Sequence, residues 1–511
     1  MCVCTCVIAL NQGVANPYNM SIAGNLKLIM LFQLFTRLIT FLMNNFIARQ
    51  ASATYLGLIS MKLDLLGNTI MSLSRDGIRI ALLRQKDEKD RNRAGGLIII
   101  ITIIVGLICT GISLKFTTEP VIVSVWPHFR QAVCLYFIAI VLESLTEIST
   151  INLISSGKNK EKIMIESLAL IGRVSYITYN ISMTKNDEAE LILLLDCFSK
   201  GQLIYAILLN ILHLKYQTNK FSISLPSKQL SNLCFSLTRQ NFFKYFLSQG
   251  DLFIISSFSS LKDQGVYSII SNYGSLVLRL IMQPIEEASL QFFSRELSKN
   301  NNNAKHNVTA YFKFMLKFMV YFGLLFICYG SFFTDPVISL LLGSKWTIDN
   351  KAANALSAYC WLVAAAGVSG FLESFVSAVI EEDEMKLQRK ISIVSSLIYC
   401  TLAIGLILWK GSVGLIAASS INFVIRACAN AFIIETYSKK RNFQFKWPKI
   451  SQKIFTMFIM SFMINLALFL MKRFDLKLRI SIGIVLLSIN VLVILKNDKE
   501  ILINLKNHLK S

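Results

Sequence analysis

The sequence predicts an all-α polytopic membrane protein of about 14 transmembrane helices, arranged as two six-helix lobes followed by a C-terminal helix pair. Three observations lead there. Of 511 residues, 54% are hydrophobic and 16% charged, with mean hydropathy +0.55, so a soluble fold has nowhere to place its apolar surface. Runs of about 20 apolar residues recur along the whole chain, which is the length a helix needs to cross a bilayer core. The loops joining these runs are alternately basic and nearly uncharged, as expected when successive loops face opposite sides of a membrane.

Taken in order, residues 1–24 form an N-terminal extension, and spans follow at 25–48, 53–84, 95–116, 129–156, 161–183 and 188–213. These make an N-lobe over 25–213, closed by a polar cytosolic linker at 214–238. A C-lobe over 239–437 holds spans 240–258, 263–297, 310–333, 352–380, 387–409 and 411–437. The segment 438–511 carries the last pair, 451–472 and 478–496, and a basic tail. Residues 1–20 lack a basic region and a cleavage site, so the first span is expected to be retained. Cys2, Cys4 and Cys6 have no histidine or second cysteine pair at zinc spacing, and most other cysteines fall inside apolar helices as packing residues. The four histidines are isolated. No metal or cofactor is expected.

The net charge of +22 invites a nucleic-acid reading. That reading fails because the Lys and Arg residues lie in short loops, with no compact domain to carry a binding surface. They mark the cytosolic side instead: Arg84, Lys86, Lys89, Arg91 and Arg93, then Lys158, Lys160 and Lys162, then Lys215, Lys220 and Lys228. The pattern continues through Arg295, Lys299 and Lys305, Lys386, Arg389 and Lys390, and Lys439, Lys440 and Arg441. Both termini are therefore expected in the cytosol. Lys472, Arg473, Lys477 and Arg479 run against the pattern at the final pair. Trp126, Trp346 and Trp409 fall at expected lumenal ends. The sequons at Asn19 and Asn307 fall on the cytosolic side and the one at Asn180 lies within the membrane, so none is expected to be glycosylated.

Two spans carry polar faces. In the eighth, Asn272, Ser275, Arg279, Gln283 and Glu286 recur every three or four residues, with Glu287 adjacent. Pro284 interrupts that face and frees a backbone carbonyl beside it. In the second, Asp64, Asn68, Ser72, Arg75 and Arg79 repeat the arrangement. The approaches to these two helices also match, with Gly57 and Gly265 in register, so the lobes read as a duplicated bundle. One reading of such stripes is a helix–helix contact held by buried hydrogen bonds. The other is the wall of a polar cavity crossing the membrane, because an ionisable residue facing lipid costs roughly 2.5–3.5 kcal/mol.

The chemistry of an enzyme is missing. Gly157-Lys158 lacks the upstream glycine of a phosphate loop, and neither a G-x-S-x-G nor an H-E-x-x-H motif occurs. The candidate substrate-binding residues are Arg37, Arg75, Arg79, Arg279 and Gln283, expected to converge as a cationic cavity at the cleft between the halves. A planar guanidinium suits a diphosphate because it gives bidentate contacts and keeps its charge on burial. Asp64, Glu286 and Glu287, with the break at Pro284, are candidates for charge pairing or gating. The competing reading makes all these groups structural ion pairs, and Arg426 reads as structural in either case. The residues alone reach an amphiphile or anion moved across a membrane by a two-lobed carrier.

Four stretches carry a family resemblance: SLSRDGIR at 72–79, DQGVYSIISNYGSLVLRLIMQPIEE at 263–287, LLGSKW at 341–346 and FLESFVSAVIEEDEMKLQRK at 371–390. Together they resemble the Rft family, with Asp76 standing where a glutamate is commoner. The resemblance implies an endoplasmic-reticulum protein of the N-glycosylation pathway. It also implies a fold akin to bacterial lipid-linked sugar flippases and multidrug exporters. The implied substrate is dolichyl diphosphate bearing a heptasaccharide of mannose and N-acetylglucosamine. Two roles stay open: a transporter that moves this lipid between leaflets, and a non-transporting accessory that binds or chaperones it or the pathway's enzymes. A monomer is expected, with the lipid bilayer and pathway enzymes as its other partners.

Overall fold

The computed structural model describes residues 38–39, 41–84, 88–117, 120–156, 158–183, 190–216, 228–298, 302–347, 350–379, 382–440, 447–448, 452–470 and 476–497. Among these no strand occurs, as an all-α chain requires. The chain forms two compact units, one within residues 16–265 and one carrying residues 266–511.

The first unit is organised on α1, a continuous helical rod from Ala53 to Arg84. Ser52 caps it by accepting from the Tyr55 amide at 3.4 Å. Two π-helical turns, Ile59–Asp64 and Ser72–Asp76, interrupt the α-helical pitch. At the first, the Leu65 amide reaches five residues back to the Ser60 carbonyl. Around α1 stand α2 (Glu88–Phe116), α3 (Trp126–Ser144), α4 (Glu147–Ser155), α5 (Asn159–Met183), α6 (Glu190–His213), α7 (Lys228–Ser248) and α8 (Gly250–Phe258).

Two expectations are refined here. The fourth span, expected over 129–156, is found as one apolar stretch, Trp126–Ser155, with its helical hydrogen bonding interrupted at Leu145 and Thr146, where the Leu142 carbonyl accepts from the Leu145 amide (3.2 Å) and from Asn210 (2.8 Å). The end of the expected linker is helical, because α7 starts at Lys228 and packs against α1 within the first unit. Leu230 and Cys234 of α7 join Ile78, Ala81, Leu82, Ile98 and Ile151 in one core. Gly77 makes this approach possible: a Cβ there would strike the Thr238 backbone. Gly57 and Gly265, expected to be in register, meet backbone to backbone inside residues 16–265, which is the use of small residues at membrane helix crossings.

In the second unit, α9 runs as Leu261–Val277, a π turn Leu278–Met282 and Gln283–Ser298, beginning in the first unit. Proline has no amide to offer, and the π turn lies directly before Pro284, with the Gln283 amide reaching back to Leu278. Then come α10 (Asn302–Cys328), α11 (Thr334–Leu342), α12 (Lys351–Val379), α13 (Glu382–Lys440), α14 (Gln452–Leu470) and α15 (Leu476–Asn497). Gly411, at φ 58° and ψ −135°, folds α13 into two helices, which matches the expected boundary between 409 and 411. Phe293, Phe312, Phe371 and Phe375 centre the core of this unit, with edge-on ring contacts such as Phe293–Phe375 at 4.9 Å. The C-terminal pair is tied to α10 by polar groups. Asn465 donates to the Cys328 carbonyl at 3.0 Å, and Asn490 donates to Ser461 at 2.7 Å and to the Tyr329 hydroxyl.

Among the described residues seven helical stretches are long and apolar enough to cross a membrane, Ala53–Leu83, Gly96–Lys115, Trp126–Ser155, Leu191–His213, Lys305–Phe332, Lys351–Val379 and Ile391–Lys439, the last folded at Gly411. Shorter apolar helices cover Ile454–Ala467 and Ser481–Ile494. Their outer faces are apolar and exposed, as with Ile104, Leu107, Ile108 and Ile112 on α2 and Leu397 and Leu408 on α13. Polar residues such as Ser74, Glu147 and Gln202 are buried. That inverted distribution suits a bilayer, where apolar surface needs no cover and polar groups must find partners inside.

Candidate functional site

The polar face of α1 turns inward onto α3, α4 and α6. Arg75, in the second π turn, donates from Nη1 to Glu147 (3.1 Å) and Glu143 (3.5 Å), and from Nε to Asp76 (3.3 Å). Arg79, one turn on, meets Glu147 with both Nε (3.0 Å) and Nη2. Glu143 also accepts from Gln202 at 3.3 Å. The break between α3 and α4 sets Glu143 and Glu147 on either side of it, both within reach of α1. Two guanidinium groups thus face three carboxylates, and the cluster carries one net negative charge when all are ionised.

Nearer the start of α1, Asp64 accepts from Arg173 of α5 at 3.1 Å and from the Tyr136 hydroxyl of α3, and Arg173 also donates to that hydroxyl at 3.1 Å. These interhelical ties give each of the three groups a partner inside the unit.

A cavity of about 410 Å³ opens beside Arg75, lined by Asn68, Met71, Ser72, Arg75, Asp76, Asn241, Tyr245 and Gln249. Its volume is in the range of pockets that enclose a small ligand. Asn241 donates to the Ser72 carbonyl at 3.0 Å, and the Tyr245 hydroxyl lies 2.9 Å from Thr69, so α1 and α7 are joined along the cavity wall.

In the second unit, Arg279 occupies the π turn of α9, exposed, and makes no ion pair among the described residues. Gln283 donates to Glu287 at 3.1 Å, both exposed, on the stretch that contains Pro284. Glu286 points at Gly370 of α12, where a Cβ would collide with its carboxylate, and it lies within electrostatic range of Glu373, Glu287 and Arg426. Arg426 and Glu373 are paired at 2.5 Å, in keeping with the structural role expected for Arg426.

The candidate residues are therefore distributed as follows. Asp64, Arg75 and Arg79 belong to the first unit, and Arg279, Gln283, Pro284, Glu286 and Glu287 to the second. Arg37 lies outside the described residues. The expected partners differ from those found: Asp64 pairs with Arg173, while Arg75 and Arg79 pair with Glu143 and Glu147. In the first unit the expected cationic wall is locally neutralised. Glu143, Glu147, Arg173, Tyr136 and Glu373 went unnoticed in the sequence. Glu143 and Glu147 had a signal of the same kind as α1, two carboxylates four residues apart in a largely apolar stretch. No group of three or more His, Cys, Asp or Glu side chains able to hold a metal ion occurs among the described residues.

Comparison with known proteins shows what the chain is similar to. It is 27% identical, over 70% of its length and 72% of the relative's, to the Man(5)GlcNAc(2)-PP-dolichol translocation protein of Eremothecium gossypii. The mouse (Mus musculus) protein of that name is 26% identical over 80% of this chain and 81% of its own. Among solved structures, the lipid II flippase MurJ in an inward closed conformation aligns with TM-score 0.62 at 15% identity, covering 92% of this chain and 99% of its own. An inward-facing multidrug resistance MATE family transporter of the MOP superfamily aligns with TM-score 0.60 at 12% identity, covering 86% and 99%. At these identities the two structures speak for the fold. The family profile described as Rft protein matches residues 21–508, nearly the whole sequence, and the chain belongs to that family.

Proposed function

We propose that this chain moves Man(5)GlcNAc(2)-PP-dolichol from the cytosolic to the lumenal leaflet of the endoplasmic-reticulum membrane, for protein N-glycosylation. Its Rft membership and the name borne by its relatives support the substrate. The observation that carries the mechanism is Arg279, an exposed guanidinium on a π turn of α9, flanked by Leu278, Leu280 and Ile281, with no ion pair among the described residues. A charge at such a position is costly unless an anion meets it, and a diphosphate offers the bidentate geometry that guanidinium fits. Arg279 and Gln283 are the diphosphate-facing residues in this reading. Arg75 and Arg79 are already ion-paired with Glu143 and Glu147, so they shape the first unit's polar core. Pro284 and the carboxylates Glu286 and Glu287 supply the charged turn that follows Arg279.

The chain works as a monomer of 14 spans in this proposal, two lobes of six and a final pair, with both termini in the cytosol. It has no enzymatic step and needs no metal or cofactor, and transport follows the substrate gradient. Purified protein in vesicles containing Man(5)GlcNAc(2)-PP-dolichol should carry the lipid to the opposite leaflet faster than protein-free vesicles. A rate equal to the protein-free control in vesicles shown to contain folded protein would rule transport out. The neutralised arginines of the first unit favour a second reading in that event: a non-transporting accessory that binds the lipid-linked oligosaccharide or its assembly enzymes.

A further inference from the structure

The cavity beside Arg75 has a wall chemistry different from that of an anion site. Of its lining residues, Asn68, Asn241 and Gln249 are carboxamides, Ser72 and Tyr245 carry hydroxyls, and the only charges are Arg75 and Asp76, which are paired with each other. The side chains of Asn68 and Gln249 hold no hydrogen bond among the described residues, and Asn241 uses only its amide nitrogen, on Ser72. Carboxamide capacity is thus left open toward the cavity from both α1 and the α7–α8 side. Asp76, Glu143 and Glu147 together outnumber the guanidinium charges of Arg75 and Arg79, so the local potential opposes a second anion.

We propose that this cavity is a sugar-binding subsite that takes one or two neutral, hydroxyl-rich residues of the glycan and excludes the diphosphate. The assignment rests on the translocation reading above and refines it by separating glycan recognition from diphosphate recognition. A carboxamide donates and accepts at once, as a sugar hydroxyl or an N-acetyl group requires, whereas a diphosphate only accepts. Three carboxamides around one space satisfy the first and offer the second no positive charge that is not already neutralised. The Tyr245 ring, packed edge-on against Phe246 (6.0 Å) and Phe253 (6.1 Å), gives the cavity one rigid aromatic wall against which a sugar ring can lie. At about 410 Å³ the space is too small for the whole heptasaccharide headgroup, so it reads a part of it.

The test compares two ligands on purified full-length protein in lipid nanodiscs: dolichyl diphosphate carrying the heptasaccharide, and bare dolichyl diphosphate. Asn68→Leu and Gln249→Leu are the variants of choice, because neither side chain holds a hydrogen bond among the described residues and the fold loses none on substitution. Each is expected to weaken binding of the glycosylated lipid about 3- to 10-fold, the worth of one or two neutral hydrogen bonds, and to leave bare dolichyl diphosphate unchanged. Arg279→Gln is expected to weaken both ligands. Equal losses for both ligands in the leucine variants would assign the cavity to the diphosphate, and unchanged binding of the glycosylated lipid would remove it from the binding surface; either result overturns the subsite. Failure of the unaltered protein to bind the glycosylated lipid at all would instead overturn the translocation reading, and the subsite with it.

Discussion

Glu147 is the side chain on which the first unit's polar core turns. It is 3% exposed and receives three guanidinium donors, one from Arg75 and two from Arg79, which are themselves 20% and 22% exposed. Glu147→Gln keeps the volume and removes the charge. Truncating one member of a buried pair costs roughly 3–5 kcal/mol, because the partner is left charged and unpaired. Arg75 retains Glu143 and Asp76, and the partial exposure of both arginines screens part of the loss, so about 2–3 kcal/mol is expected. At about 2–4 °C per kcal/mol for a unit of this size, the thermal midpoint should fall by about 4–12 °C. Glu143→Gln, whose carboxylate touches one arginine at 3.5 Å, should cost about 1 kcal/mol. Adding Arg79→Gln to Glu147→Gln removes the charge left unpaired and should restore part of the loss. The assay is thermal unfolding of purified protein in nanodiscs, followed by intrinsic fluorescence. A Glu147→Gln midpoint no lower than that of Glu143→Gln, with no recovery in the double variant, would refute the ion-pair reasoning.

Further outcomes are expected. Arg279→Lys should accumulate normally yet fail to support N-glycosylation in cells lacking the native protein, since lysine keeps the charge and loses the fork; Arg75→Lys should fail through lowered thermal stability instead, and the two are separated by measuring protein level beside glycosylation. Tyr136→Phe removes the hydroxyl that joins Asp64 to Arg173 and should destabilise by about 1.5–3 kcal/mol, read as a lower unfolding midpoint; an unchanged midpoint would show that the ion pair alone suffices. Gly411→Ala forces a side chain into φ 58°, ψ −135° and should cost about 1–3 kcal/mol, so normal accumulation and melting would contradict the sharp turn in α13. Asn307, exposed on α10 near the start of the span Lys305–Phe332, should carry no N-glycan; a glycosidase-sensitive mass shift that vanishes in Asn307→Gln would place that end of the span in the lumen.

Features that depend on one helix and its solvent were legible without a structure. The all-α class follows from composition, because a bilayer admits apolar rods and offers no partner to an open backbone. The helical reading of 53–84 and 263–297, the polar stripes on both, the disturbed pitch before Pro284 and the boundary at Gly411 all follow from spacing and from single residues with restricted or permissive backbones. The alignment of Gly57 with Gly265 suggested a repeat, and gave no sign of the backbone contact that the two glycines form.

What the sequence by itself determined, then, is which residues share a face; which partner meets that face was decided only by tertiary packing. Arg75 and Arg79 could be placed on a polar stripe by counting, yet their neutralisation by Glu143 and Glu147 depends on the break at Leu145–Thr146, which sets two carboxylates from α3 and α4 against α1. Asp64 met Arg173, more than 100 residues away, rather than any arginine of its own stripe. The placement of α7 beside α1 rests on Gly77 lying against Thr238 and on apolar contacts made only after both helices exist. Helical periodicity is a local property of the chain, fixed by 3.6 residues per turn. Charge pairing in a membrane is a property of neighbours, and the low-dielectric surroundings make it costly enough that packing is organised to satisfy it.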